Sequence, residues 1–433
     1  MKGLTWLFLA ALALMVTGVA CSDDDDSPDP TLSPGLNPTS TADAGPTASG
    51  ASLVTIGAML PLTGALDSYG EAAHAALEAA VASINADSTL QIELSIKDTA
   101  TDPATVLDDL QAMHDEGIRI VVGPFASSTV EVVLDLANEQ DIIILGPLST
   151  ATSLAIPGDN LFRFTPTDEA NGIAVAHVLL NDGITTAVHL SRDDPGNLGL
   201  QSGMKIAYEA AGGTVVPGIT YPASDADFDA VVTDLIALLE GLETPLEETA
   251  IYLTAFGEVT QLFEAASANG AEVLTALRWY GSDSVALSAG LVENETAAAF
   301  AVRAVYPNPI LGLRDEDRQL WEPVVDAVEA AIGRTPDTFA LAAYDALVVA
   351  HMALQTAGVD ADIQALRDAL VTAAAGHVGL TGPTVLNEAG DRDSGSYDFW
   401  SICPDGNAYT WKRTISFVPG PAGASPAVQH YDC

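Results

Sequence analysis

Hydroxyl side chains cluster at the start of a predicted helix in the stretch GPFASSTVEVV, residues 123–133. A helix N-terminus offers unpaired backbone N–H groups and a partial positive charge, so it suits an anionic group. The hydroxyls of Ser127 and Ser128 would add neutral hydrogen-bond donors there. Capping explains the same residues, because Ser128 and Glu131 have the spacing of a capping box. We therefore expect Ser128 to cap the helix, whereas Ser127 fits either a cap or a ligand contact.

Motifs of the common enzyme classes are missing from the sequence, including HExxH, GxSxG, the phosphate-binding P-loop and CxxC. The seven histidines are scattered through helical and strand patterns, which is typical of core and surface residues. Asp391 and Asp393 have only part of the spacing of a calcium loop. We therefore expect a protein that is not an enzyme and that holds no cofactor or metal.

The elements that would position these hydroxyls alternate between strand-like and helical patterns from Leu53 onward. Near-continuous runs of Val, Ile and Leu between amphipathic helices predict parallel sheets covered on both faces. The predicted helices are 71–85, opened by a Ser68–Glu71 capping box, then one that begins after Pro103, and 128–138, 169–182, 199–212, 226–240, 258–269 and 337–357. Two successive series predict an α/β fold with two doubly wound lobes. In this architecture a ligand binds in the cleft at the carboxyl ends of the strands.

The composition describes a globular and strongly acidic chain. It has 433 residues, 48% of them apolar, with 15 Lys and Arg against 59 Asp and Glu and a net charge of −44. The mean hydropathy of +0.26 excludes global disorder. Such a surface repels phosphate backbones, so we expect no nucleic-acid partner.

The N-terminus has the pattern of an export signal. Lys2 precedes an apolar run over about 4–16, which is short for a membrane span and predicts a signal peptide over 1–20. The following TGVAC resembles a bacterial lipobox, in which Cys21 is lipidated and anchors the mature chain to a membrane. Gly18 departs from the usual leucine of that motif. Ordinary secretion with cleavage near Ala20 is the alternative.

Residues 21–52 are rich in Asp, Pro, Ser, Thr and Gly, and we expect them to form a flexible tether. Export permits disulfides. If Cys21 is lipidated, Cys403 and Cys433 remain as a natural pair, with two free thiols as the alternative. A metal site built from His430 and Cys433 lacks further ligands nearby.

Four stretches resemble type I periplasmic binding proteins of the leucine/isoleucine/valine-binding family, which serve branched-chain amino acid ABC transporters. They are IGAMLPLTGALDSYGEAAHAALEAAVASINA, KDTATDPATVLDDLQAMHDEGIRIVVGPFASSTV, FALAAYDALVVAHMAL and GLTGPTVLNEAGDRDSGSYDFW. Their order and spacing match the family over roughly residues 53–402. The resemblance implies that a small molecule binds between two lobes and that the closed form docks on a membrane permease.

The resemblance also implies three hinge crossings between the lobes. We place them near Thr165–Asp168, Tyr306–Pro309 and Leu380–Pro383. Lobe 1 is then 53–167 plus 307–380, and lobe 2 is 168–306 plus 381–433.

On lobe 1, the resemblance implies that Ser127 contacts the carboxylate of an amino-acid ligand. In the loop PLST, Leu148 would offer its backbone carbonyl to the ligand ammonium and Thr150 its hydroxyl to the carboxylate, with Ser149 between them. A simple turn cap is the alternative for this loop. Tyr69 matches an aromatic residue that packs on the ligand side chain, or it is a rim aromatic.

On lobe 2, Asp283 in YGSDS matches the acidic residue that holds the ligand ammonium, and Phe256 matches an aromatic of the wall. Leu198-Gly199 stands where the family commonly has tyrosine and glycine. The loss of that hydroxyl predicts a more apolar wall, which suits an aliphatic amino acid or a ligand without an amino-acid head group.

We therefore expect a lipid-anchored, solute-binding protein, periplasmic or at the cell surface, that delivers an amino-acid-like molecule to a permease. The alternative is a ligand-independent or sensing lipoprotein of the same fold that regulates an envelope enzyme or receptor.

Overall fold

The computed structural model describes residues 52–420 and 425–433. The signal peptide, Cys21 and the tether up to residue 51 lie outside the described residues. The strands are β1 (Ser52–Leu60), β2 (Leu90–Asp98), β3 (Ile120–Val122), β4 (Ile143–Gly146), β5 (Leu161–Arg163), β6 (Thr186–Asp193), β7 (Thr214–Pro222), β8 (Thr249–Thr254), β9 (Arg278–Tyr280), β10 (Asn308–Leu311), β11 (Val378–Gly379), β12 (Gly382–Pro383), β13 (Tyr397–Asp405), β14 (Ala408–Val418) and β15 (Ala427–His430).

The helices alternate with most of these strands, as the sequence pattern predicts. They are α1 (Asp67–Asp87), α2 (Val106–Asp115), α3 (Ser127–Glu139), α4 (Asp168–Asn181), α5 (Pro195–Ala210), α6 (Phe228–Glu240), α7 (Val259–Asn269), α8 (Ala271–Leu274), α9 (Ala289–Glu293), α10 (Glu295–Ala304), α11 (Arg318–Ile332), α12 (Thr338–Ala357) and α13 (Ile363–Gly376).

The first sheet has the order β2-β1-β3-β4-β5, and its strands are parallel. Successive side chains of a strand point to opposite faces, and both faces are apolar here. In β1, Ala58 and Leu60 join the cluster formed with α1 and α12, whereas Met59 joins the cluster formed with α2 and α3. Burial on two sides explains why β1 ends in an uninterrupted apolar run.

The second sheet has the order β7-β6-β8-β9 and is also parallel. Val188 and Leu190 of β6 pack with α6, α7 and α10, while Ala187 faces α4 and α5. The predicted fold class, two α/β units with parallel sheets, is therefore confirmed.

A third sheet, antiparallel with the order β10-β13-β14-β15, joins these units and was not predicted as a sheet. Strand β14 is only half buried along most of its length, so its sequence, AYTWKRTISFV, lacks the long apolar run of the parallel strands. A disulfide joins Cys403 of β13 to Cys433, with 5.5 Å between the Cα atoms.

The chain passes from the first sheet to α4 directly after β5, and from α10 to β10 across residues 305–307. Near the third predicted crossing, the buried carboxylate of Asp345 in α12 accepts hydrogen bonds from the backbone N–H groups of Leu380 and Thr381 at 2.7 and 3.0 Å. The Thr381 hydroxyl donates a third bond at 2.7 Å. The lobe boundaries given above stay a prediction.

Helix α12, Thr338–Ala357, is long and apolar enough to cross a membrane by length and composition, but 78% of its most apolar window is buried inside the protein. Its partner α1 begins at Asp67 without a side-chain cap, so the predicted Ser68–Glu71 capping box is wrong. Glu71 instead pairs with Arg334 at 2.7 Å, because α11 and the turn after it lie beside α1.

Candidate ligand-binding cleft

The loops that follow strands β3 and β4 bring the predicted hydroxyls together. Ser127 is the first residue of α3 and is buried, as are Ser149 and Thr150. The Ser127 hydroxyl lies 3.1 Å from that of Ser149, which donates to it, and it also accepts from the backbone N–H of Ala151 at 3.2 Å. Both predicted loops therefore contribute to one buried cluster at the carboxyl edge of the first sheet.

The start of α3 differs from the predicted cap. Ala126 is the N-cap residue, and no side chain of the described part of the chain caps the helix. The prediction that Ser128 and Glu131 form a capping box is therefore wrong. The helix begins two residues earlier than that box requires, and the Thr129 hydroxyl donates to the Ala126 carbonyl at 2.7 Å instead. This start leaves the first turn of α3 available to another acceptor.

Asp283 follows β9 at the corresponding edge of the second sheet, and its side chain is buried. Its carboxylate accepts from the Ser284 hydroxyl at 3.1 Å and from the side-chain amide of Asn171 at 3.4 Å. Burial raises the pKa of Asp283 to about 7, although the hydrogen bonds from Ser284 and Asn171 act in the opposite direction. The carboxyl is thus poised to lose its proton when a cation approaches.

Tyr69 and the Asp283 loop connect the two sheets. The Tyr69 ring, in the first turn of α1, is buried, and its hydroxyl donates to the Ala286 carbonyl at 2.8 Å. A second connection runs from the Gly257 N–H to the Ala65 carbonyl at 3.1 Å. The geometry therefore gives Tyr69 a bridging contact, while its contact with a ligand side chain stays a prediction.

Phe256 follows β8 and is buried, with the Arg192 guanidinium 4.8 Å from its ring centroid. Leu198 is 40% exposed, so the predicted contribution of this residue to an apolar wall receives no support from its burial. Leu148 is buried in the same core cluster as Phe256.

The sequence analysis missed Asp168, the first residue of α4. Its side chain is fully buried, and burial raises its pKa to about 8, with a further increase from the charge of Asp283. Thr150 and Arg163 lower that pKa in part. The signal in the sequence was two polar residues three apart, Asp168 and Asn171, on a helix whose remaining buried residues are apolar or glycine.

Asp391, considered above for a calcium loop, is paired with Arg163 at 2.5 Å inside the protein. Within the ranges that the structure describes, no group of three or more His, Cys, Asp or Glu residues has the arrangement of a metal site.

Comparison with known proteins decides the family. The family model described as "Periplasmic binding protein" matches residues 53–396. The chain belongs to this family. The two α/β units with parallel sheets agree with this assignment.

Two relatives cover most of this periplasmic binding protein. An uncharacterised protein of Methanocaldococcus jannaschii is 28% identical over 382 residues, which is 83% of this chain and 88% of that one. A "Leu/Ile/Val-binding protein homolog 3" of Brucella melitensis is 24% identical over 355 residues, with 80% and 90% of the two chains covered.

Solved structures share the fold of this periplasmic binding protein. The branched-chain amino acid transporter substrate-binding protein of Streptococcus pneumoniae, in complex with isoleucine, has a TM-score of 0.66 at 20% identity, covering 84% of this chain and 100% of that one. A solute-binding protein of an ABC transporter from R. palustris, in complex with benzoate, has a TM-score of 0.67 at 19% identity, covering 84% and 96%. At these identities the likeness concerns the fold alone.

Proposed function

We propose that this periplasmic binding protein is an exported lipoprotein that captures an amino acid or a similar small molecule and delivers it to an ABC-type permease. One observation carries the proposal. Hydroxyls of the first sheet's loops, Ser127 and Ser149, and a buried carboxyl of the second sheet, Asp283, lie at the facing carboxyl edges of the two sheets. The relatives named for leucine, isoleucine and valine support an amino-acid ligand.

The chemistry of the two walls suits a zwitterion. The uncapped start of α3, with the hydroxyls of Ser127, Ser149 and Thr150, would hold the ligand carboxylate through neutral donors and the helix dipole. Asp283 and the backbone carbonyl of Leu148 would accept from the ligand ammonium. A charge-assisted bond in a buried site is worth more than the same bond in water.

Ligand entry requires the walls to separate, because these side chains are all less than a tenth exposed. The connections through Tyr69 and Gly257 would then break and form again on closure. A ligand shifts the balance toward the closed form only by its greater affinity for that form. A molecule that contacts Ser127 on one wall and Asp283 on the other has such a difference.

Anchoring is proposed on the sequence alone. Lipidation of Cys21 would hold the protein at the periplasmic or outer face of a bacterial membrane, and the acidic tether would let it reach its permease.

Thermal unfolding with a panel of the twenty amino acids tests the proposal. A ligand at a concentration of 100 times its Kd should stabilise the protein by about 2.7 kcal/mol. Asp283→Asn and Ser127→Ala should each weaken binding about 10- to 100-fold, since each removes a partner of a charged ligand group. Asp135→Asn, an exposed change on α3, should leave binding unaltered.

The proposal fails if no amino acid, amide or small carboxylate shifts the unfolding temperature. In that case, co-purification of an envelope enzyme in place of permease subunits would favour the regulatory alternative.

A further inference from the structure

Three buried hydrogen-bond acceptors lie together in the first turn of α4, on one wall of the cleft. Both carboxylate oxygens of Asp168 and the side-chain oxygen of Asn171 are buried, and none has a partner within hydrogen-bond geometry among the described residues. The Thr150 hydroxyl and the Thr152 N–H nevertheless lie close enough to Asp168 to lower its pKa in part. The two side chains are 0% and 1% exposed. A buried acceptor that lost its water and gained no donor costs about 1–3 kcal/mol, so three of them at one place call for an explanation.

These acceptors form one unit with Asp283. Asp168 and Asn171 are three residues apart in α4 and therefore lie on the same face of the helix. The amide nitrogen of Asn171 is used in its bond to Asp283, which leaves only its oxygen free. Asn171 thus links two buried carboxyl groups and orients its own acceptor beside them.

The neighbouring helix α5 does not fill this place with a donor. Gly199 lies against Asp168 so closely that a Cβ atom there would overlap the carboxylate. The preceding residue, Leu198, has no hydrogen-bonding side chain and is 40% exposed. Glycine keeps α5 close enough to bury Asp168 while supplying nothing that neutralises it.

Cations near the cleft already have partners. Arg163, whose charge lowers the pKa of Asp168, is paired with Asp391 at 2.5 Å. Arg192, stacked on Phe256, is paired with Asp194 at 2.9 Å and with Glu258 at 3.3 Å. Within the described part of the chain, the Nη2 of Arg163 has no partner of its own, but neither Arg163 nor Arg192 forms a salt bridge with Asp168 or Asp283. A cationic ligand would supply the charge that these two carboxyl groups lack.

We propose that the cleft selects a ligand with two cationic nitrogen groups, a diamino acid or a diamine, held by Asp283 and Asp168. The inference rests on the proposed function and specifies its ligand class. An ammonium group has three N–H donors, which equals the number of unpartnered acceptors on Asp168 and Asn171. A leucine-like ligand has one ammonium group, which would donate to Asp283. Asp168 would then receive no donor from the ligand.

Isothermal titration calorimetry with L-lysine and L-norleucine tests the inference, because norleucine is lysine without the terminal ammonium group. We expect lysine to bind at least about tenfold more tightly than norleucine, because its terminal ammonium group forms one additional charge-assisted contact. In Asp168→Asn the ratio of the affinities for lysine and norleucine should fall to about twofold. Glu169→Gln, which changes the exposed next residue, should preserve this ratio. Putrescine should compete with lysine.

Each result has a distinct meaning. Norleucine or leucine binding as tightly as lysine overturns the inference and leaves the proposed function standing. An unchanged ratio in a folded Asp168→Asn variant overturns the role of Asp168. Absence of binding by every amino acid and diamine overturns the proposed function as well. The lysine-to-norleucine ratio of the wild-type protein decides the ligand class even if the variant does not fold.

Discussion

Replacing Asp168 by asparagine should stabilise the unliganded protein, and more so as the pH rises. The folded protein keeps the Asp168 carboxyl buried with a pKa of about 8, against an ordinary value of 3.8 for aspartic acid in water. Between these two values the folded state holds a proton that the unfolded state has lost. The stability that this proton provides is complete below about pH 4 and is lost as the pH rises through 8.

The magnitude follows from the size of the shift. One pKa unit corresponds to about 1.4 kcal/mol, so a shift of about four units sets an upper limit of roughly 6 kcal/mol at alkaline pH. Separation of the cleft walls rehydrates the carboxylate without unfolding the chain, which reduces the measurable effect. We expect Asp168→Asn to raise the free energy of unfolding by about 2–4 kcal/mol at pH 8, and by less than about 0.5 kcal/mol at pH 4.

Urea unfolding of the wild type and the variant at intervals from pH 4 to pH 8.5 measures this difference directly. Glu169→Gln is the matched control, because it removes an exposed acid from the same first turn of α4. Both variants therefore lose one negative charge beside the positive end of the helix dipole. A difference between wild type and Asp168→Asn that stays constant with pH, or that shrinks toward alkaline pH, would refute the reasoning.

Three further predictions concern the contacts that hold the units together. Asp345→Ala should lower the free energy of unfolding by about 3 kcal/mol or more in urea, because three buried donors lose their acceptor; a loss under 1 kcal/mol would contradict this. Cys403→Ser should lower the free energy of unfolding by about 3–4 kcal/mol in calorimetry, since the disulfide closes a loop with a sequence separation of 30. Reduction of the disulfide in the wild type should lower it by the same amount. Tyr69→Phe removes the bond to Ala286 and should weaken ligand binding about fivefold with little change in the unfolding temperature; equal affinities would show that this bridge does not favour closure.

Periodicity was sufficient for the parallel α/β elements, because their strands are buried on both faces and their helices on one. The alternating pattern that starts at Leu53 opens with β1, Ser52–Leu60, and the helix predicted over 337–357 is α12, Thr338–Ala357. The same method missed helices α8, α9, α10, α11 and α13 as well as the antiparallel sheet. Helix α11 has only Val328 fully buried, although its apolar residues recur at helical spacing.

Caps were predicted less well than elements. At both Ser68 and Ser128 the spacing of a capping box was present, yet neither helix has a side-chain cap. The spacing of a capping box shows that two side chains can reach the backbone at the helix start. Other hydrogen-bond partners of these side chains determine whether the box forms. Glu71 bonds to Arg334, a residue more than 260 positions away, which local sequence cannot indicate.

The sequence by itself determined the α/β class, because this class depends on the order of strands and helices. The export signal and the place of the cleft stay predictions from the sequence. The sequence also indicated Ser127, Ser149 and Asp283, since loops after parallel strands meet at one edge of a sheet. Only the tertiary structure decided that Asp168 and Asn171 lie beside Asp283 without donors. Burial and the absence of a partner depend on α5 packing against α4 through Gly199, and no single segment encodes that approach.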